Sequence, residues 1–67
     1  MIKQQLGNRI RELRKARGYS QEQFAPICGL DRTYIAGIES GKRNITIGNA
    51  QKLANALNVS MAELFDF

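Results

Sequence analysis

Residues Gln21 to Ser40, QEQFAPICGLDRTYIAGIES, place Gln21, Ala25, Gly29, Ile35 and Ile38 at spacings that describe two short helices crossing at a tight turn. Such a helix-turn-helix points to sequence-specific DNA binding. Each position has a steric reason. Ala25 is small where the second helix crosses the first, and Gly29 stands where the chain leaves one helix and turns, a place that favours a residue tolerant of positive φ. Ile35 and Ile38 are three apart and face inward together, which leaves Arg32, Thr33, Ala36 and Gly37 on other faces as the candidate reading surface.

The flanking segments carry helical periodicity of their own. Ile2, Leu6, Ile10 and Leu13 recur every three or four residues and Ala16 continues the stripe, so residues 2–17 read as one amphipathic helix that Gly18 stops. Arg14, Lys15 and Arg17 fall in its last turn, where positive charge suits the helix dipole. Ser20 and Gln23 form a capping box for the next helix, with Tyr19 and Phe24 as its hydrophobic staple. Asp31 can cap the third helix, which runs to about Ser40 before Gly41. After the polar connection GKRN, Thr46 caps a fourth helix with Ile47, Ala50, Leu53, Ala54 and Leu57 at helical spacing. Ser60 and Glu63, with Val59 and Leu64 as staple, begin a short fifth helix ending in Phe65, Asp66 and Phe67. Five helices with short turns and no strand pattern predict an all-α fold, a compact five-helix bundle over residues 1–67 with no linker or repeat.

At 67 residues the chain is near the lower limit for a self-supporting core and too small to enclose a deep catalytic pocket easily. Ten Lys and Arg against six Asp and Glu give a net charge of +4. The excess is local: Lys3, Arg9, Arg11, Arg14, Lys15 and Arg17 are offset only by Glu12 in the first stretch. Alone, such a run reads as a solvated helix face; beside a helix-turn-helix it reads as a surface for a polyanion. Cys28 is the only cysteine and histidine is absent, which excludes disulfides, a CxxC redox pair and nearly every transition-metal site. Cys28 reads as a small buried apolar residue. Without histidine, a metal-ligand cluster or a glycine-rich phosphate loop, no nucleophile-and-base set assembles, so neither enzyme activity nor a cofactor is expected. No apolar run reaches transmembrane length and no secretory signal opens the chain, so the expected compartment is the cytoplasm, with the nucleoid.

The segments GNRIRELRKARGYSQEQFA, LDRTYIAGIESGKRNIT and KLANALNVS resemble the Cro/C1-type (XRE) helix-turn-helix family over nearly the whole chain. The run LDRTYIAGIESGKRNIT looks most like the controller proteins of bacterial restriction-modification systems. The resemblance implies a lambda-repressor-like domain whose third helix enters the major groove. Arg32 and Thr33 match its base-reading positions, and the chemistry agrees: an arginine fork can bond O6 and N7 of guanine, worth about 1–3 kcal/mol of discrimination, and a threonine methyl can meet a thymine methyl. Ala36 stands at a third reading position where serine is common. Tyr34 matches a position that contacts backbone or base edges, although one aromatic on an amphipathic helix is more often core. Gln21 opens the second helix, where its side chain and the free helix N–H groups can hold a phosphate. Lys42, Arg43 and Asn44 match backbone-contacting loop positions, which position the protein and make affinity depend on salt. The resemblance assigns Arg14 and Glu39 a structural role, an ion pair tying the first helix to the third.

Two residues depart from an ideal helix. Pro26 falls inside the second helix, where a kink or early end is expected, and Gly48 weakens the first turn of the fourth by roughly 1 kcal/mol relative to alanine.

One reading helix spans too few base pairs to select a genomic site, so a homodimer on a palindromic operator is expected, its reading helices one DNA turn, roughly 34 Å, apart. Met61, Phe65 and Phe67, in a C-terminal segment of about residues 59–67, supply the candidate dimer patch, with Leu64 closing the core. Resemblance to the controllers implies autoregulation of the chain's own promoter and admits RNA polymerase as a partner; no membrane or small-molecule partner is expected. Phage-type repressors and antitoxins share this frame, and a protein-interaction module that does not read DNA is the alternative of another class.

Overall fold

Residues 2–67 are described in a computed structural model, so residue 1 of the expected 1–67 unit lies outside the described residues. Five helices follow in order: α1 (Ile2–Ala16), α2 (Gln21–Cys28), α3 (Arg32–Glu39), α4 (Ile47–Leu57) and α5 (Met61–Leu64). Among the described residues no strand occurs.

The helix boundaries follow local chemistry. Ser20 accepts from the backbone N–H of Gln23 while the Gln23 side chain accepts from the Ser20 N–H, closing the capping box of α2. Ser60 and Glu63 repeat that arrangement at α5, and Thr46 accepts from the Asn49 N–H at the start of α4. Tyr19 stacks on Phe24 with ring centroids 6.0 Å apart, the staple at the entry to α2. Gly29 ends α2 in the left-handed region at φ +72°, and its N–H donates back to the Ala25 and Pro26 carbonyls.

Several expectations are corrected. α2 continues through Pro26 to Cys28, so the proline neither ends it early nor displaces its glycine cap. Pro26 is exposed, so water can reach the Glu22 carbonyl that a proline cannot serve. Asp31 occupies the N-cap of α3 without a side-chain capping bond; only its carbonyl takes part, accepting from Ile35 N–H. The apolar stripe of α1 narrows at both ends: Ile2 is 73% exposed and Ala16 is also exposed. Ile47 opens α4 at 83% exposure rather than entering the core. Phe65, Asp66 and Phe67 follow α5 outside the helix.

The core draws on every helix. Ile10, Phe24, Ile35, Ile38, Leu53, Leu57 and Leu64 are fully buried, each worth about 1.5–3 kcal/mol of transfer free energy, and Ala25, Cys28, Ala50 and Ala54 fill the close approaches. Gly7 explains how α1 meets α3. A Cβ there would strike the Ile38 carbonyl and lie 2.8 Å from that of Glu39, so only glycine lets α1 rest on the C-terminal end of the third helix.

Candidate nucleic-acid interface

The third helix is anchored by its inner face and by one buried ion pair. Ile35 and Ile38 point into the core, while Arg14 of α1 grips Glu39: Nε to Oε2 at 2.7 Å and Nη2 to Oε1 at 2.9 Å, a bidentate fork with side chains only 8% and 4% exposed. Arg14 Nη1 also donates to the Tyr19 carbonyl at 2.7 Å. The hydrogen bond to Glu39 raises the Arg14 pKa above its ordinary value although burial opposes it, so the guanidinium stays charged. Gln21 Nε2 donates to Glu39 Oε1 at 3.1 Å. One carboxylate therefore fixes α1, α2 and α3 relative to one another.

What α3 leaves outside is its N-terminal turn. Arg32 and Thr33 are exposed; Ala36 and Gly37 are half-buried. Tyr34 is half-buried, and its hydroxyl accepts from Asn49 Nδ2 at 3.0 Å while the Arg43 guanidinium lies 5.4 Å from its ring centroid. The aromatic thus belongs partly to the body of the domain and partly to its surface, with the hydroxyl proton left as a donor. Two of the grooves that border the helix are lined by residues of its candidate reading face, Thr33 in one and Ala36 in the other. One, of about 540 Å³, is lined by Thr33, Tyr34, Arg43 and Asn49 together with Pro26, Gly29, Leu30 and Asp31. The other, of about 220 Å³, is lined by Arg11, Arg14, Gln21, Ala36, Glu39 and Ser40.

The loop after α3 is folded onto it. The Gly37 carbonyl receives the Lys42 N–H at 3.0 Å, the Arg43 N–H at 3.2 Å and the Ser40 hydroxyl at 3.0 Å. Gly41 reverses the chain at φ +76°. Lys42, Arg43 and Asn44 are thereby exposed beside the reading turn, and the Arg43 stem covers Gly37, where a Cβ would meet its Cγ at 3.0 Å. Gln21 is half-buried across α3 from this loop, its amide held by Glu39. Met61 is half-buried and packs against the core, whereas Phe65 and Phe67 are exposed on the C-terminal segment.

Sequence reasoning passed over Asn49 and Arg11, which line these two grooves, and Arg9, whose guanidinium reaches the Glu63 carbonyl. Arg11 and Arg9 were visible only as members of a basic run, and no local pattern marks Asn49 as a partner of Tyr34. With Arg14 paired to Glu39, the remaining positive charge of the first helix is carried by the exposed Arg11 and Lys15 and the half-buried Lys3 and Arg9, with the exposed Arg17 just beyond its end.

The family model for the helix-turn-helix matches residues 10–64, most of the chain. The chain belongs to the Cro/C1-type helix-turn-helix family. Within this family it is 45% identical to the control protein C.MunI of a Mycoplasma species over 65 residues, 96% of this chain and 88% of the relative. The crystal structure of the restriction-modification controller protein C.AhdI from Aeromonas hydrophila superposes with a TM-score of 0.90 at 48% identity, covering 92% of this chain and 90% of that one. The protein in the nucleoprotein complex of C.Esp1396I superposes with a TM-score of 0.87 at 35% identity, covering 98% and 86%.

Proposed function

We propose that the protein is a homodimeric transcriptional regulator, the controller of a restriction-modification system, that reads a palindromic operator with α3 and autoregulates its own promoter. The observation that carries this is the exposed N-terminal turn of α3, where Arg32 and Thr33 project beside the loop bearing Lys42, Arg43 and Asn44. Among the described residues the Arg14–Glu39 pair is the ion pair present, so Arg32 keeps its guanidinium for a base edge. The C.Esp1396I complex supports nucleic acid as the ligand of this frame, and similarity to C.MunI and C.AhdI supports the controller role.

In this reading Arg32 forks onto guanine, Thr33 meets a thymine methyl and Ala36 packs against a base edge without a hydrogen bond. The backbone N–H groups at the start of α2, beside Gln21, take a phosphate on one side of the groove; Tyr34, Lys42, Arg43 and Asn44 take phosphates on the other. Two copies joined through Met61, Phe65 and Phe67 present the reading helices roughly one DNA turn apart. At that promoter RNA polymerase is the further partner of the bound dimer, and an operator partner assigns the protein to the bacterial cytoplasm, at the nucleoid.

Selection of bound duplexes from a random pool, with wild type and Arg32→Ala in parallel at near-physiological salt, tests this. Enrichment of a palindrome that degrades at matching positions in both half-sites of the variant is the expected result. No enrichment by folded wild type removes the operator reading in favour of a protein-interaction module.

A further inference from the structure

Arg9, midway along α1, sends Nε and Nη2 to one acceptor, the Glu63 carbonyl oxygen, at 3.0 and 2.8 Å across a sequence separation of 54. That oxygen is among the free carbonyls at the C-terminal end of α5, and it also takes the backbone N–H of Asp66 at 3.3 Å. A helix of four residues has no cooperative stability of its own. α5 is fixed at its start by the Ser60–Glu63 capping box, in its middle by buried Leu64, and at its end by this guanidinium fork. Positive charge is also favourable at a helix C-terminus. What emerges from that end is the aromatic pair Phe65 and Phe67, 40% and 49% exposed with ring centroids 6.4 Å apart.

We infer that Arg9 is a positioning residue for dimerisation: by holding the Glu63 carbonyl it sets Phe65 and Phe67 in the orientation that a second copy of the chain meets. The inference rests on the dimer reading above, in which a palindromic site demands two reading helices and the aromatic pair, exposed like Ile2, Ile27 and Ile47 elsewhere on the surface, is the patch assigned to the second copy. It gives Arg9 a role apart from DNA, since Nε and Nη2 are already engaged by the Glu63 carbonyl.

Sedimentation equilibrium of the full chain tests it, comparing wild type, Arg9→Ala, Arg9→Lys and the double variant Phe65→Ala with Phe67→Ala, with helical content recorded by circular dichroism well below melting. Arg9→Ala is expected to raise the dimer dissociation constant on the order of tenfold with native helical content, the scale of losing one charge-assisted contact. Arg9→Lys, which keeps the charge and loses the fork, is expected to fall between. Unchanged dimerisation in Arg9→Ala beside a monomeric aromatic variant overturns this inference and leaves the dimer reading standing. An aromatic variant that dimerises like wild type overturns this inference and moves the dimer contact away from Phe65 and Phe67, whereas a monomeric wild type removes the dimer reading itself. Dimer loss that follows helix loss in both Arg9 variants marks a merely structural role and also overturns it.

Discussion

Gln21 Nε2 donates to Glu39 Oε1 at 3.1 Å, so the residue that opens α2 shares the carboxylate that Arg14 already holds from α1. The junction of three helices thus depends on one buried acid.

Removing either partner of the Arg14–Glu39 pair leaves the other charge buried without compensation. Glu39→Ala and Arg14→Ala should each cost about 3–5 kcal/mol, and Glu39→Gln less, because the amide can still accept from Arg14. Thermal denaturation of the three variants checks the order; melting unchanged from wild type in both alanine variants would refute the role.

Gly7 and Gly48 should respond oppositely to alanine. At Gly7 the new methyl meets backbone carbonyls of Ile38 and Glu39 that cannot rotate away, and overpacking should outweigh the gain in helix propensity for a net loss of about 2 kcal/mol. At Gly48 the added Cβ meets open space, so Gly48→Ala should gain up to about 1 kcal/mol, or roughly 4–8 °C in Tm. Equal shifts in the same direction would contradict this account of the α1–α3 contact.

Cys28 is buried and its thiol is pushed up to about 11 by desolvation. The neutral thiol is a poor nucleophile, so alkylation of native protein at neutral pH should be much slower than in denaturant and should rise as pH approaches 11. Rapid native alkylation at neutral pH would count against a closed core at this position.

Glu63 has its carboxyl held below the ordinary value of 4.5 by the Ser60 backbone N–H foremost and the Ser60 hydroxyl next. A lowered native pKa favours the fold above the ordinary value, and that contribution is lost as pH falls through the lowered one. An NMR titration should give Glu63 a midpoint below 4.5 with the Ser60 amide following the same curve. A midpoint at or above the ordinary value would argue that this capping box is open in solution.

The local devices of the fold were legible in the sequence because each is written within a few residues. The Ser20–Gln23 and Ser60–Glu63 boxes, the Gly29 turn and the inward pair Ile35 and Ile38 fall where their spacing puts them. Periodicity overreached at helix ends, where a residue keeps its phase but runs out of neighbours, as at Ile2, Ala16 and Ile47. The early end expected at Pro26 does not occur for a related reason, since an exposed position lets water serve the carbonyl that proline leaves unpaired. Contacts made by long side chains between distant segments leave no periodic trace. Arg9 on Glu63, Gln21 on Glu39 and Asn49 on Tyr34 are of this kind, and so is the glycine at position 7, whose need appears only once α3 is laid across it.

The Gly37 carbonyl, with Lys42, Arg43 and Ser40 converging on it, has a thermodynamic consequence. A loop already closed in the free protomer surrenders little conformational entropy when a duplex arrives. The heat-capacity change of association should therefore match rigid-body burial of surface, without the added increment of a segment that folds on its ligand.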